Sequence, residues 1–225
     1  MPSGFLGGGI GPVALKRRRA AAADWWPVAG QTCVAAYQPI GAASLAASYV
    51  NLANPGTYDA APGVAPTLAA GGWSFNGSTQ YLTTGVVPTN NQQWSAIVKY
   101  ADWDSSIQNG YVLGTYAGSN TTFGYYFGPS VLGYYNGNGK FQAGVPSTGA
   151  IIAIAGTNGY KNGVLAVSGI AALSGTFSQI LIGKLGYIPT PISPWKGTIA
   201  AVAIYSTTLS AADVAELTTR MQALA

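Results

Sequence analysis

Gly197-Thr198-Ile199-Ala200-Ala201-Val202-Ala203-Ile204-Tyr205, followed shortly by Leu209-Ser210-Ala211-Ala212-Asp213-Val214, is the stretch on which the reading of the fold turns. The first part is an apolar run, which predicts a strand over 197–205. The second opens a helix: Ser210 and Asp213 have the spacing of a capping box, with the serine as N-cap and the carboxylate near the positive helix end. Val214, Leu217, Met221 and Leu224 then recur at spacings of 3, 4 and 3, one apolar stripe on a helix. Glu216 and Arg220 form an i,i+4 pair on the other side, so the only glutamate has a structural explanation.

Upstream, short apolar or alternating runs are punctuated by Gly, Asn and Pro at roughly the 8–12-residue spacing of sandwiches. Predicted strands are 33–38, 73–76, 81–83, 94–100, 111–116, 122–127, 131–136, 150–155, 165–167, 179–183 and 197–205. Asn136-Gly137, Asn158-Gly159 and Asn162-Gly163 read as hairpin turns, because both residue types tolerate positive φ.

Charge divides the chain differently. Of 10 basic and 6 acidic residues, four basic ones are consecutive, Lys16-Arg17-Arg18-Arg19, and the remainder balances at 6 and 6. Residues 1–23 therefore read as an extended Gly-rich basic arm, and residues 24–225 as one domain. Only 7% of residues are charged, against 48% hydrophobic with 14 Tyr and 6 Trp. That excludes a disordered polyelectrolyte. The chain has no His, so Ser-His-Asp and Cys-His nucleophiles and His-ligated metals are excluded. The lone Cys33 reads as a small buried apolar residue. No apolar run approaches the ~18 residues of a membrane span. The N-terminal apolar stretch precedes its basic cluster, the reverse of secretory order, so no leader is expected.

Three stretches resemble the laminin-G-like domains of the concanavalin-A type. Trp73-Ser74-Phe75-Asn76-Gly77-Ser78-Thr79-Gln80-Tyr81-Leu82 is similar to that family's early strand pair. Gly159-Tyr160-Lys161-Asn162-Gly163 is similar to its late hairpin, and the stretch 197–214 to its last strand and closing helix. The resemblance covers about residues 33–222 and implies an all-β, two-sheet antiparallel jelly-roll sandwich with one short C-terminal helix. Such domains occur in adhesion proteins, lectins, glycan-processing enzymes and bacteriophage virion proteins, so fold alone leaves function open.

The chemistry-bearing residues are few. Asp102 and Asp104 are the only acids two apart and would share one side of an extended strand. They follow the predicted strand end and read first as a solvated loop pair, then as calcium candidates. The carboxylate pair of a glycan hydrolase is the reading left over, and no enzyme activity is expected. Ser193-Pro194-Trp195-Lys196 matches S-x-x-K, but the prolines at 189, 191 and 194 enforce a loop, and the match reads as coincidence. Asn76-Gly77-Ser78 and Asn120-Thr121-Thr122 are sequons.

Tyr125-Tyr126 and Tyr134-Tyr135 should lie on neighbouring strands, each pair sending one ring inward and one outward. The outward pair, with Trp103, forms the candidate contact with a host glycan or partner, set against ordinary cross-strand packing. Trp25 and Trp26 are expected to anchor the arm. Four charges without interleaved aromatics are too few for a nucleic-acid surface, so Lys16–Arg19 reads as a peg for an acidic protein surface. The resulting expectation is a non-enzymatic bacteriophage virion protein, attached by its arm to a major capsid or tail protein, with the jelly roll displayed outward. The alternative is a secreted or cell-surface lectin-like module. No cofactor beyond the calcium candidates is expected, and no membrane.

Overall fold

A computed structural model describes residues 24–89, 94–106, 109–118, 122–144, 148–187 and 190–225. The arm, with Lys16, Arg17, Arg18 and Arg19, lies outside the described residues, as does the second sequon's Asn120. In chain order the elements begin with β1 (Cys33–Tyr37), α1 (Leu45–Ser48), β2 (Ala61–Val64), β3 (Thr67–Ala69), β4 (Gly72–Asn76) and β5 (Tyr81–Thr83). Longer strands follow: β6 (Ser95–Trp103), β7 (Gly110–Tyr116), β8 (Thr122–Phe127), β9 (Val131–Gly137), β10 (Gly139–Ala143) and β11 (Thr148–Ala155). The chain closes with β12 (Asn158–Lys161), β13 (Val164–Ser168), β14 (Leu181–Ile182), β15 (Lys196–Tyr205) and α2 (Ala211–Gln222).

These strands form two antiparallel sheets, the jelly-roll sandwich that the resemblance implied. One has eight strands, in the order β13-β12-β11-β6-β15-β4-β3 with β1 also on β15. The other has seven, in the order β10-β9-β8-β7-β14-β5-β2. Between them lies a core of large side chains including Trp73, Trp195, Tyr100, Tyr125, Tyr134, Phe123 and Phe127. Burying each such ring contributes roughly 1.5–3 kcal/mol. The Tyr125 hydroxyl also ties the sheets together. It donates to the Ala96 carbonyl on β6 and accepts from Ile154 N (2.9 Å) on β11, two residues paired across the facing sheet.

β15 reads as a continuous apolar run because it is buried on both faces. Ile199, Val202 and Ile204 point into the core, while Ala201, Ala203 and Tyr205 face outward beneath α2. The small side chains Ala153, Ala155, Ala201 and Ala203 let α2 settle close, and Val214, Leu217 and Met221 complete that second cluster. The expected capping box is present, and Arg220 pairs with Glu216. Lys99 reaches over from β6 to donate to the carbonyls of Met221 (3.0 Å) and Leu224 (2.7 Å) at the negative helix end. Trp25, buried, and Trp26, half-buried, sit edge to face at 6.0 Å on this same outer surface. Tyr205 donates to the Trp26 carbonyl at 2.7 Å.

The local reading needs three corrections. Asn158-Gly159 is not a turn: Ala155 pairs with Asn158, so Gly156-Thr157 turns the chain, with Gly156 at φ +57. Gly159 is a glycine because the Tyr134 ring lies against it, 2.6 Å from where a Cβ would stand. Strand β6 runs to Trp103 rather than ending at Tyr100. Strands β2, β3, β10 and β12 and the short α1 add elements beyond those predicted, the edge strands β2 and β10 being short and holding Pro or Gly. Asn162-Gly163 does form the β12–β13 turn, with φ of +51 and +79.

Candidate functional site

The outer faces of the two sheets differ. That of the eight-stranded sheet is covered by α2 and the segment around Trp25. That of the seven-stranded sheet carries a group of aromatic rings at the surface. Alternation along β8 and β9 sends Tyr125 and Tyr134 into the core, where both are fully buried, and leaves Tyr126 and Tyr135 half-buried on the outside. Their centroids are 6.5 Å apart at 80°. The outward tyrosine pair predicted from the sequence is therefore present.

The pairing register adds rings that the sequence reading missed. Tyr111 on β7 stands opposite Tyr126 and lies 5.5 Å from its ring and 6.0 Å from that of Tyr135. Phe141 on β10 approaches Tyr126 at 6.2 Å and Tyr135 at 5.7 Å, both at 89°. Farther along, Tyr116 and Tyr187 form a tilted pair, 5.2 Å apart at 31°. Phe141 is 52% exposed and Tyr187 40%, so these rings are not sealed into packing.

Glycines form the bed beneath the rings. A Cβ on Gly133 would stand 2.9 Å from Tyr135, 3.0 Å from Phe141 and 3.1 Å from Tyr126, and one on Gly139 would fall inside the Tyr135 ring. A Cβ on Gly114 would meet Leu185 at 3.0 Å and Tyr111 at 3.1 Å. Glycine inside a strand weakens it and marks a close approach. Here what approaches is a set of rings lying low over the backbone. The signal was legible as glycines in mid-strand, at 114 and 133, in segments rich in aromatics.

A depression of about 360 Å³ opens on this face, bordered by Tyr111, Tyr116, Thr122, Tyr135, Asn138 and Phe141 among others. Burial is the main cause that pushes the Tyr111 phenol up, with the Tyr135 and Tyr126 hydroxyls adding to it. Burial likewise raises Tyr135. Tyr126 donates to Asn109 Oδ1, and Asn109 holds a φ of +66 to meet it. Tyr111 and Tyr135 are thus neutral rings at neutral pH, suited to stacking and to exchanging hydrogen bonds rather than to proton transfer.

The other predicted residues fall elsewhere. Trp103 is a correction: it is 6% exposed and packs 5.4 Å from Phe127 in the core, because β6 runs on past Tyr100 and the register shift at Ala101 reverses the alternation, turning residue 103 inward. Asp102 and Asp104 flank it on the outer side of the eight-stranded sheet. Asp104 is bound by Lys196 at 2.7 Å and accepts from Ser106 N at 2.9 Å, contacts that hold its carboxyl well below the usual range. Among the described residues, no group of three or more His, Cys, Asp or Glu side chains is placed to hold a metal. Ser193 sits in a loop at φ +52 while Trp195 is fully buried, so the S-x-x-K match has no serine–lysine geometry. Asn76 uses its side chain to close its own turn, accepting from Ser78 N (2.9 Å) and Thr79 N (3.0 Å).

No family model and no curated protein matches this chain. Solved structures do. Trypanosoma rangeli sialidase in complex with sialic acid is similar at 15% identity and a TM-score of 0.63, over 88% of this chain and 34% of that one. The binding domain of botulinum neurotoxin serotype D is similar at 14% identity and a TM-score of 0.55, over 84% and 51%. A structure of botulinum neurotoxin type C, whose cell entry depends on two ganglioside molecules, is similar at 13% identity and a TM-score of 0.57, over 85% and 51%. The chain spans about a third to a half of these proteins, and at such identity the likeness concerns the fold.

Proposed function

We propose that this chain is a carbohydrate-binding sandwich module and that it binds glycan on the outer face of the seven-stranded sheet. One observation carries the reading: Tyr126, Tyr135 and Phe141 stand as a solvent-facing aromatic group on a glycine bed, while the opposite outer face is covered. Flat rings with hydroxyl tips offer apolar faces for sugar C–H groups and polar edges for sugar hydroxyls. The likeness to a sialidase in complex with sialic acid and to a neurotoxin whose cell entry depends on gangliosides supports the reading.

Binding without catalysis is the form of this proposal. Glycoside hydrolysis needs two opposed carboxyl groups about the scissile bond, and no described residue bordering the depression is acidic. A glycan array followed by titration tests the reading. Tyr135→Ala and Phe141→Ala should each weaken the best ligand about two- to tenfold, the value of one stacked ring. Unchanged affinity in both would sink it.

The finer role is carried by the charge segregation alone. We propose that the module belongs to a bacteriophage virion, with Lys16–Arg19 fastening it to an acidic surface of a capsid or tail protein and the jelly roll facing the host. Trp25 and Trp26, the proposed anchors of that arm, are seated on the eight-stranded sheet, on the side away from the aromatic face.

A further inference from the structure

We infer that the aromatic face is one end of a longer track and that its ligand is an extended, uncharged polysaccharide crossing the strands. This rests on the glycan-binding reading and adds chain length and charge to it.

Three depressions run across the seven-stranded sheet. The first, over β10 to β7, has about 360 Å³. A second, of about 220 Å³, is bordered by Tyr116, Gly118, Thr176 and Tyr187. A third, of about 190 Å³, lies over β14 and β5 against Tyr81, Thr83, Gln179 and Tyr187. Tyr116 borders both the first and the second, and Tyr187 both the second and the third. The two smaller depressions each fall below the ~300 Å³ at which ordinary small-molecule sites begin, whereas the joined track lies within that range. A single sugar would use one of them. A chain would use all three, with the Tyr116–Tyr187 pair at its middle.

Charge selects the kind of chain. Among the described residues that border the three depressions, none is charged. Arg220, the only arginine in the described chain, lies on α2 behind the other sheet, bound to Glu216 and the Pro27 carbonyl. Lys184 comes to the far end of the track, where its ammonium rests over the Tyr81 ring, 5.2 Å from the centroid. Away from that end, an acidic sugar would have to leave its carboxylate without the charge-assisted donors such a group demands. Hydroxyl groups of a neutral sugar find matching partners in Thr122, Asn138, Thr176 and Gln179.

Calorimetric titration of the full chain tests this with disaccharides and hexasaccharides of the β-glucan, α-glucan and mannan series, and with sialylated oligosaccharides of matching length. In at least one neutral series the hexasaccharide should bind about tenfold or more tighter than its disaccharide, and sialylated probes more weakly. Tyr187→Ala, on an exposed ring that the fold does not need, should cost the hexasaccharide about two- to tenfold and erase most of the gain from length. Val164→Ser, on the exposed edge strand of the other sheet, should change nothing. Equal binding of short and long chains, tighter binding of sialylated probes, or a silent Tyr187→Ala would overturn the extended neutral track and leave the glycan-binding reading in place. Failure of every glycan to bind would overturn both.

Discussion

Replacing Gly139 by alanine should disable the aromatic face without touching an aromatic residue. The glycine lies outside the left-handed region, so alanine can adopt its backbone. The obstacle is the Tyr135 ring, whose Cδ1 would stand 2.8 Å from the new Cβ, with two other ring carbons closer still. Carbon atoms settle at about 3.5–4.0 Å, so the ring must retreat by roughly 1 Å. Overpacking of a closed core costs about 1–3 kcal/mol. Here the ring is half-exposed and can swing outward, and alanine stiffens the unfolded chain by about 0.4–1 kcal/mol. The two contributions nearly cancel, leaving a change in melting temperature of no more than about 2–4 °C. Binding should suffer more. A ring turned out of register loses its stacking, about two- to tenfold in affinity, together with the tyrosine near-UV circular dichroism of the packed group. Retained affinity with an unchanged near-UV spectrum would refute the claim that the glycine bed sets the ring. A collapse in stability would refute the claim that Tyr135 is free to move.

Three further outcomes are expected. Tyr125→Phe removes the hydroxyl that joins Ile154 N–H to the Ala96 carbonyl and leaves two buried groups unpaired; urea unfolding should show about 2–4 kcal/mol lost, with binding unchanged once folded. Burial pushes the phenols of Tyr37, Tyr100, Tyr125 and Tyr134 well above the ordinary value near 10, and the Cys33 thiol up to about 12. The folded state thus keeps protons that the unfolded chain gives up, so this stability is fully present below about pH 9 and lost as pH rises beyond it, first through Cys33 and then through the tyrosines, while the absence of histidine predicts a flat urea midpoint between about pH 6 and 8. Deleting residues 1–23 should leave melting temperature and glycan affinity intact while abolishing incorporation into particles; normal incorporation of the truncated chain would end the virion reading.

Much of the fold was legible because its signals are local. The Ser210–Asp213 capping box, the Val214-Leu217-Met221 stripe and the apolar run 197–205 each specify one element without reference to the rest of the chain. The outward Tyr126 and Tyr135 were legible for the same reason, since alternation is a property of one strand. What failed was anything set by pairing. Tyr111 joins the cluster because β7 lies beside β8 with a bulge between Tyr111 and Leu113, and Phe141 joins because β10 folds back on β9. Neither register is written in a single segment. Trp103 went wrong through a boundary: ending β6 at Tyr100 placed the residue in a loop, whereas the strand continues to pair through Asp102 with Thr198 and Thr148. The glycines were ambiguous in kind. Gly163 serves positive φ in a turn, whereas Gly159 and Gly139 make room for rings, and the residue type is the same for both.

Cross-strand packing alone would also place tyrosines on this sheet, and the decision between packing and binding rests on how the rings are finished. Tyr111, 8% exposed, behaves as a packing residue: it contributes buried area and pairs across strands. Phe141 and Tyr187 gain far less from burial and leave apolar carbon in water, which a sheet built only for stability would avoid by covering it. This chain covers the middle of its other sheet in that way, with small alanines admitting α2 and Trp25, and leaves Val164 and Leu165 exposed only on that sheet's edge strand. The same sequence therefore contains the solution and withholds it from the seven-stranded sheet. An open aromatic face beside a covered one fits a surface kept for a ligand, and Phe141→Ser separates the explanations. If packing is its purpose, stability falls and binding is indifferent; if binding is its purpose, stability holds within about 0.5 kcal/mol and glycan affinity drops.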